Sequence, residues 1–200
     1  EGLVEELTVL GEAVETVDGA RNLARPESAP ALVAAALGRF GRLDAAAAFS
    51  GQIIPGNFMD SSPEDLHRLV EGCIEAPYRF LKAVAAPMIE QGGGQIVMIT
   101  SAAGARPTRG AALYSSVRAG ATMMARNLAQ EVASKGVQVN ALGTNFMDFP
   151  EFLAATGAED PEIRKVVEAK VPMRRLGPME EFAAVAMAFL DGIGRITTGQ

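Results

Sequence analysis

Apolar positions along this chain alternate between two rhythms. Residues 30–40 carry Leu32, Val33, Ala36, Leu37 and Phe40 at helical spacing, and Gly41 follows as a stop. Residues 43–49 form a near-continuous apolar run (L-D-A-A-A-A-F), the pattern of a strand covered on both faces. Ser62-Pro63-Glu64-Asp65 opens a second helix with a capping serine, a first-turn proline and acids at the positive end of the dipole. Its apolar face is set by Leu66, Leu69, Val70, Cys73 and Ile74 and continues to about Gln91, with a kink expected at Pro77 or Pro87. Residues 95–100 (Q-I-V-M-I-T) predict a strand, and 114–135 a long helix stopped by Gly136. Residues 137–142 predict another strand, 161–170 and 178–190 helices, and 13–17 a short strand. This alternation predicts an α/β, doubly wound parallel sheet forming one domain over residues 1–200. Ligands in such sheets bind beyond the carboxyl ends of the strands, where Ser101 and the 143–147 loop both fall.

Composition narrows the function classes. A chain 48% hydrophobic and 21% charged can bury one full core. Its formal charge is −6 and its cations are scattered, which argues against nucleic-acid binding. No apolar run approaches the ~20 residues needed to span a bilayer, and no signal-peptide pattern is visible. The single cysteine, Cys73, sits in an apolar helical pattern and reads as a core thiol. The single histidine, His67, stands among charged residues at a helix start and reads as surface. The acidic positions show no metal-ligand spacing, so no metal is expected. Together these features predict a cytoplasmic enzyme.

The chemistry concentrates in three residues. Ser101 ends an apolar run (I-T-S-A-A-G), Tyr114 opens a helical segment, and Arg118 follows four residues later (Y-S-S-V-R). Tyr114 and Arg118, spaced i and i+4, project from one helix face. A permanent cation there favours the phenolate. Tyr114 is therefore a candidate general acid/base, with Ser101 holding the substrate oxygen.

Ser101 with Tyr114 at this spacing resembles the short-chain dehydrogenase/reductase superfamily, whose signature is Ser…Tyr-x-x-x-Lys. Arg118 in place of that lysine resembles the halohydrin dehalogenases, a branch of the same fold that lost the nicotinamide cofactor. The resemblance runs over nearly the whole chain and is densest over residues 95–147 and 171–177 (V-P-M-R-R-L-G). It implies a Rossmann-like sheet whose first βαβ unit and last strand are absent from this chain. The chain would then begin in the helix after strand two and stop at Thr197-Thr198-Gly199-Gln200, where the last strand starts.

Against that background three positions speak against a nicotinamide: Arg118, Phe49 in the run Ala48-Phe49-Ser50-Gly51, and the loop Gly143-Thr144-Asn145-Phe146-Met147. The superfamily's catalytic asparagine would fall near Ile74, where this chain has none, and Asn140 reads as structural. The resemblance thus implies reversible conversion of vicinal halohydrins to epoxides, a lyase reaction with no cofactor. Ser101, Tyr114 and Arg118 would be its triad, and Thr144, Asn145, Phe146 and Met147 its pocket for halide or another small anion. A homotetramer is implied as well, assembled through residues 66–91 and 114–135. Two other readings stay open: an NAD(P)-dependent short-chain reductase that tolerates Arg118, and a catalytically silent family member.

Overall fold

A computed structural model describes residues 23–200. The expected strand at residues 13–17 lies outside the described residues. The first helix, α1 (Ser28–Phe40), ends where Gly41 takes a left-handed conformation and returns its N–H to Leu37 O. Strand β1 (Ala45–Phe49) follows. Helix α2 (Pro63–Val70) is opened by a complete capping box: Ser62 accepts from Asp65 N, and the Asp65 carboxylate accepts from Ser62 N.

The distortion of this helix lies before Pro77 rather than at it. Residues Glu71–Glu75 form a π-turn between α2 and α3 (Ala76–Gln91). The reason is local. Pro77 has no N–H to give to the carbonyl four residues back, which belongs to Cys73, and its ring crowds that carbonyl. Widening the preceding turn relieves both problems. Pro87, further along, leaves α3 unbroken.

Strand β2 (Gly94–Ser101) leads through a one-turn 3₁₀ helix (Ala102–Gly104) toward α4 (Ala112–Val132). Strand β3 (Val137–Thr144) follows, then α5 (Pro150–Thr156), α6 (Pro161–Glu168) and α7 (Met179–Leu190). Helix α5 was not anticipated. Its signals were a proline in the first turn and Gly157 as the stop.

The three strands are parallel, in the order β1-β2-β3. Ala46, Ile96 and Val139 align across the sheet, as do Ala48, Met98 and Ala141. These residues face the cluster that holds Phe80, Leu81, Val84 and Met88 of α3 and Ala125, Ala129 and Val132 of α4. On the other face α7 packs through Phe182, whose ring meets Phe49 edge-on at 5.6 Å. The central strand is therefore sealed on both sides. Ile96, Val97 and Met98 are fully buried, each contributing about 1.5–3 kcal/mol. Chain residues 197–200 run beside β3: Gly199 N donates to Val139 O (2.8 Å) and Ala141 N to Gln200 O (2.8 Å). Asn140 ties the same edge with two side-chain bonds, to Thr197 O and from Gln200 N, which is the structural role expected of it.

Gly136, between α4 and β3, has φ +77, and a Cβ there would stand 2.5 Å from Gly92 O. Gly136→Ala is expected to cost about 2 kcal/mol or more from the left-handed backbone and this collision. The urea midpoint should fall while the slope of the transition stays constant.

Candidate active site

The sheet brings three chain exits to one edge. Phe49 at the end of β1 pairs with Ile99, while Ser101 pairs with Thr144 at the ends of β2 and β3. Ser101 Oγ accepts a hydrogen bond from Ala103 N (3.2 Å), which turns the chain into its 3₁₀ segment. Gly104 lets that segment press on α4: a Cβ there would lie 2.8 Å from Arg118 C and from Ala119 N. The start of α4 is thereby docked at the carboxyl end of β2.

Tyr114, in the first turn of α4, is nearly buried and shares a cluster with Leu69, Cys73, Ala111 and Val117. Arg118, one turn on, is only 6% exposed. Its Nη1 donates to Ile99 O at 3.4 Å, and its guanidinium carbon stands 5.1 Å from the centre of the Tyr114 ring. Its Nε has no partner, and among the described residues no carboxylate forms an ion pair with it. A buried cation without a counter-charge costs several kcal/mol. The ring face of Tyr114 returns up to about 2 kcal/mol of that.

The turn after β1 completes the surroundings. Gly51 has φ +83. A Cβ on it would collide with Cys73 Sγ and stand 3.2 Å from both Arg118 Nη2 and Gly72 O. Cys73 is fully buried, as its apolar pattern predicted, and its S–H donates to Gln52 O at 3.9 Å. Burial pushes its thiol up from the ordinary range, against an opposing pull from Arg118 and the bond to Gln52. His67 is exposed, also as read from the sequence.

Residues 144–147 do something different. Thr144 Oγ1 donates to Thr100 O (3.3 Å), and Asn145 is exposed. Phe146 turns away, its ring edge-on to Phe152 at 5.6 Å in a cluster with Ala158, Val167 and Leu176. Met147 bridges to Gly177, flanked by backbone bonds from Gly177 N to Phe146 O and from Asp148 N to Gly177 O (both 2.9 Å). Arg164 then clamps the Asp148 carboxylate while holding Glu168. The structure thus gathers Tyr114 and Arg118 at the end of β2, where Ser101 stands. Phe146 and Met147 are packed into the segment that follows β3.

Two openings border this group. One, about 360 Å³, lies at the end of β1 between Phe49, Ser50, Gly51 and Gln52 on one side and Arg68 and Gly72 on the other. Phe49 lines it without closing it, because its ring is held against Phe182. Ser50 Oγ, in the same turn, is buried and unpartnered. A second opening of about 260 Å³ lies between residues 54–61 and Ala112-Leu113, immediately before Tyr114. The meeting of Gly51, Cys73 and Arg118 was missed from sequence. Its one available signal was Pro77, which dictates a distorted turn at Cys73.

A family profile described as Enoyl-(Acyl carrier protein) reductase matches residues 3–200. The chain is 32% identical over 171 residues to the 3-oxoacyl-[acyl-carrier-protein] reductase FabG of Vibrio cholerae, covering 86% of this chain and 68% of that protein. It is 30% identical over 190 residues to an uncharacterized oxidoreductase of Mycobacterium tuberculosis, covering 92% and 70%. In fold it matches levodione reductase with a TM-score of 0.83 at 22% identity, over 89% of this chain and 71% of that one. It also matches a gluconate 5-dehydrogenase from Burkholderia cenocepacia in complex with NADP and tartrate, with a TM-score of 0.80 at 21% identity, over 90% and 69%. These findings correct the expectation of a cofactor-independent lyase. The relatives carry the names of reductases and oxidoreductases, and nothing among them supports halohydrin chemistry. No described helix is long and apolar enough to cross a membrane.

The buried, raised thiol yields a direct check. In the native protein Cys73 should react with Ellman's reagent at pH 8 at least about a hundredfold more slowly than in guanidinium, because only an exposed thiolate attacks. Equal rates in the two states would show that this part of the structure is open.

Proposed function

Because the chain belongs to the short-chain dehydrogenase/reductase family, we propose that it is an NAD(P)-dependent oxidoreductase acting on a carbonyl or alcohol carbon of a small organic substrate. The observation that carries this reading is the convergence of Tyr114 and Arg118 on the carboxyl end of β2 beside an open cavity at the neighbouring end of β1. That cavity suits a nucleotide cofactor. It is bordered by the side-chain-free backbone of Gly51, by Ser50, by Glu71 and by the guanidinium of Arg68, which donates to the Gln52 amide and feels the charge of Asp65. Residues 49–52 and Arg68 would hold the cofactor there. When bound, its nicotinamide supplies or accepts the hydride.

The protein's own part is the proton and the orientation. Tyr114 O–H donates to the substrate oxygen as that oxygen gains negative charge, or takes the proton back in the reverse direction. Ser101 Oγ holds the same oxygen and fixes which carbon is presented. Arg118, a permanent charge over the Tyr114 ring, stabilises the charge the phenol acquires when it gives up its proton. The opening beside Ala112-Leu113 receives the rest of the substrate. We further propose a homotetramer. Tyr78 on α3 and Met123 on α4 are more than half exposed, which leaves apolar surface on both helices for symmetry mates to cover.

Calorimetric titration with NADPH and NADH should show micromolar binding of at least one; absence of binding up to about millimolar cofactor would sink the reading. Tyr114→Phe should keep that binding and lose about a hundredfold or more of reductase turnover across a panel of ketones and aldehydes. Light scattering should report four copies, and a monomer at micromolar concentration would overturn the assembly.

A further inference from the structure

We infer that Cys73 is a positioning residue: its thiol fills the space over Gly51 beside the Arg118 guanidinium and so keeps that guanidinium against the ring of Tyr114. Three observations meet at one point. A Cβ on Gly51 would collide with Cys73 Sγ and stand 3.2 Å from Arg118 Nη2, so thiol and guanidinium share the space that the missing side chain of this glycine leaves. Cys73 is itself immobilised. It is fully buried within the π-turn that Pro77 imposes, and its S–H reaches Gln52 O in the very turn that holds Gly51. Arg118 needs such support. It is more than nine-tenths buried, its Nε is unpartnered, and the one side-chain hydrogen bond it makes among the described residues is long at 3.4 Å. No carboxylate among the described residues anchors it. Hydrogen bonds alone do not hold this cation where it is, so packing must, and in the space over Gly51 the group packed there with Nη2 is the Cys73 thiol.

A thiol suits this place by size. Alanine would open a gap over Gly51 beside Nη2 and let the guanidinium slide off the ring. Leucine would crowd Nη2 out of the space over Gly51. Serine, close to cysteine in volume, would keep the arrangement. For turnover the inference rests on the reading of Tyr114 as the reacting phenol, but the guanidinium's position can be read without any substrate.

The test uses the ¹⁵N-labelled full chain and the Arg118 Nε–Hε resonance. That signal is identified by its loss in Arg118→Lys and by its downfield movement in Tyr114→Leu, which removes the ring. In Cys73→Ala the resonance should move toward the exposed arginines and broaden through solvent exchange. Cys73→Ser should restore the parent position, and Cys73→Leu should displace the signal with the backbone amide spectrum otherwise retained. If the leucine variant does not fold, the alanine variant decides. A resonance unmoved in Cys73→Ala overturns the inference, as does a serine variant that fails to restore it. The cofactor titration is blind to this outcome, so the failure of either claim is told apart from failure of the other.

Discussion

The structure turns on a buried positive charge that no negative charge among the described residues balances. Arg118 lies under the end of β1, over the face of Tyr114 and against the carbonyl of Ile99, with almost no access to water. Such a placement is unfavourable in isolation, by several kcal/mol. It persists because the surrounding elements allow little else. The parallel strands fix Ile99, the 3₁₀ turn after Ser101 pins the first turns of α4 through Gly104, and the Gly51 turn closes from above. The strain is localised at the residues assigned to chemistry, and it is sustained by the sealed sheet beneath them.

The glycines and one proline do most of the local positioning. Pro77 sends its effect backward into the turn that carries Cys73. Gly51 admits two side chains that any larger residue would part, and Gly104 lets two backbones touch. These positions form no part of the proposed proton path, yet they decide where Tyr114 and Arg118 stand. The segment after β3 is organised independently, around its own cluster of Phe146, Phe152, Val167 and Leu176. It is closed on itself at the Met147–Gly177 bridge, and the Asp148–Arg164 ion pair is a second internal tie.

Much of this was legible in the sequence where local rules act alone. The capping box at Ser62, the stops at Gly41 and Gly136 and the apolar runs of the three strands follow from side-chain period and backbone freedom. The position of Ser101 at a strand end and the shared face of Tyr114 and Arg118 follow likewise. What was not legible depends on contacts between distant residues. The approach of Gly51 to Cys73 joins a turn to a helix more than twenty positions away, and no periodicity encodes it. Helix α5 is short and partly hidden by an aromatic run that reads equally well as pocket lining. The functional misreading has the same origin. Arg118, Phe49 and Phe146 were each weighed by residue type, as though an arginine or an aromatic ring at these positions must exclude a nicotinamide.

Geometry removes each of those objections in turn. Phe49 spends its ring on Phe182 and leaves the cavity beside it open. Phe146 packs into the cluster of the following segment, and Met147 lies against Gly177. Arg118 directs Nη1 at Ile99 O and holds its guanidinium over the Tyr114 ring, so its fork is engaged inside the protein. A lysine at that position would present a single mobile ammonium; an arginine there presents a fixed plate of charge. The exchange therefore removes a flexible donor from the site while keeping the positive field on the phenol. Under the oxidoreductase reading, contact with the cofactor falls to the 49–52 turn and Arg68, and Arg118 serves the phenol alone. The division is consistent with an arginine held by packing, because a residue that must also grip a ligand would need a free end.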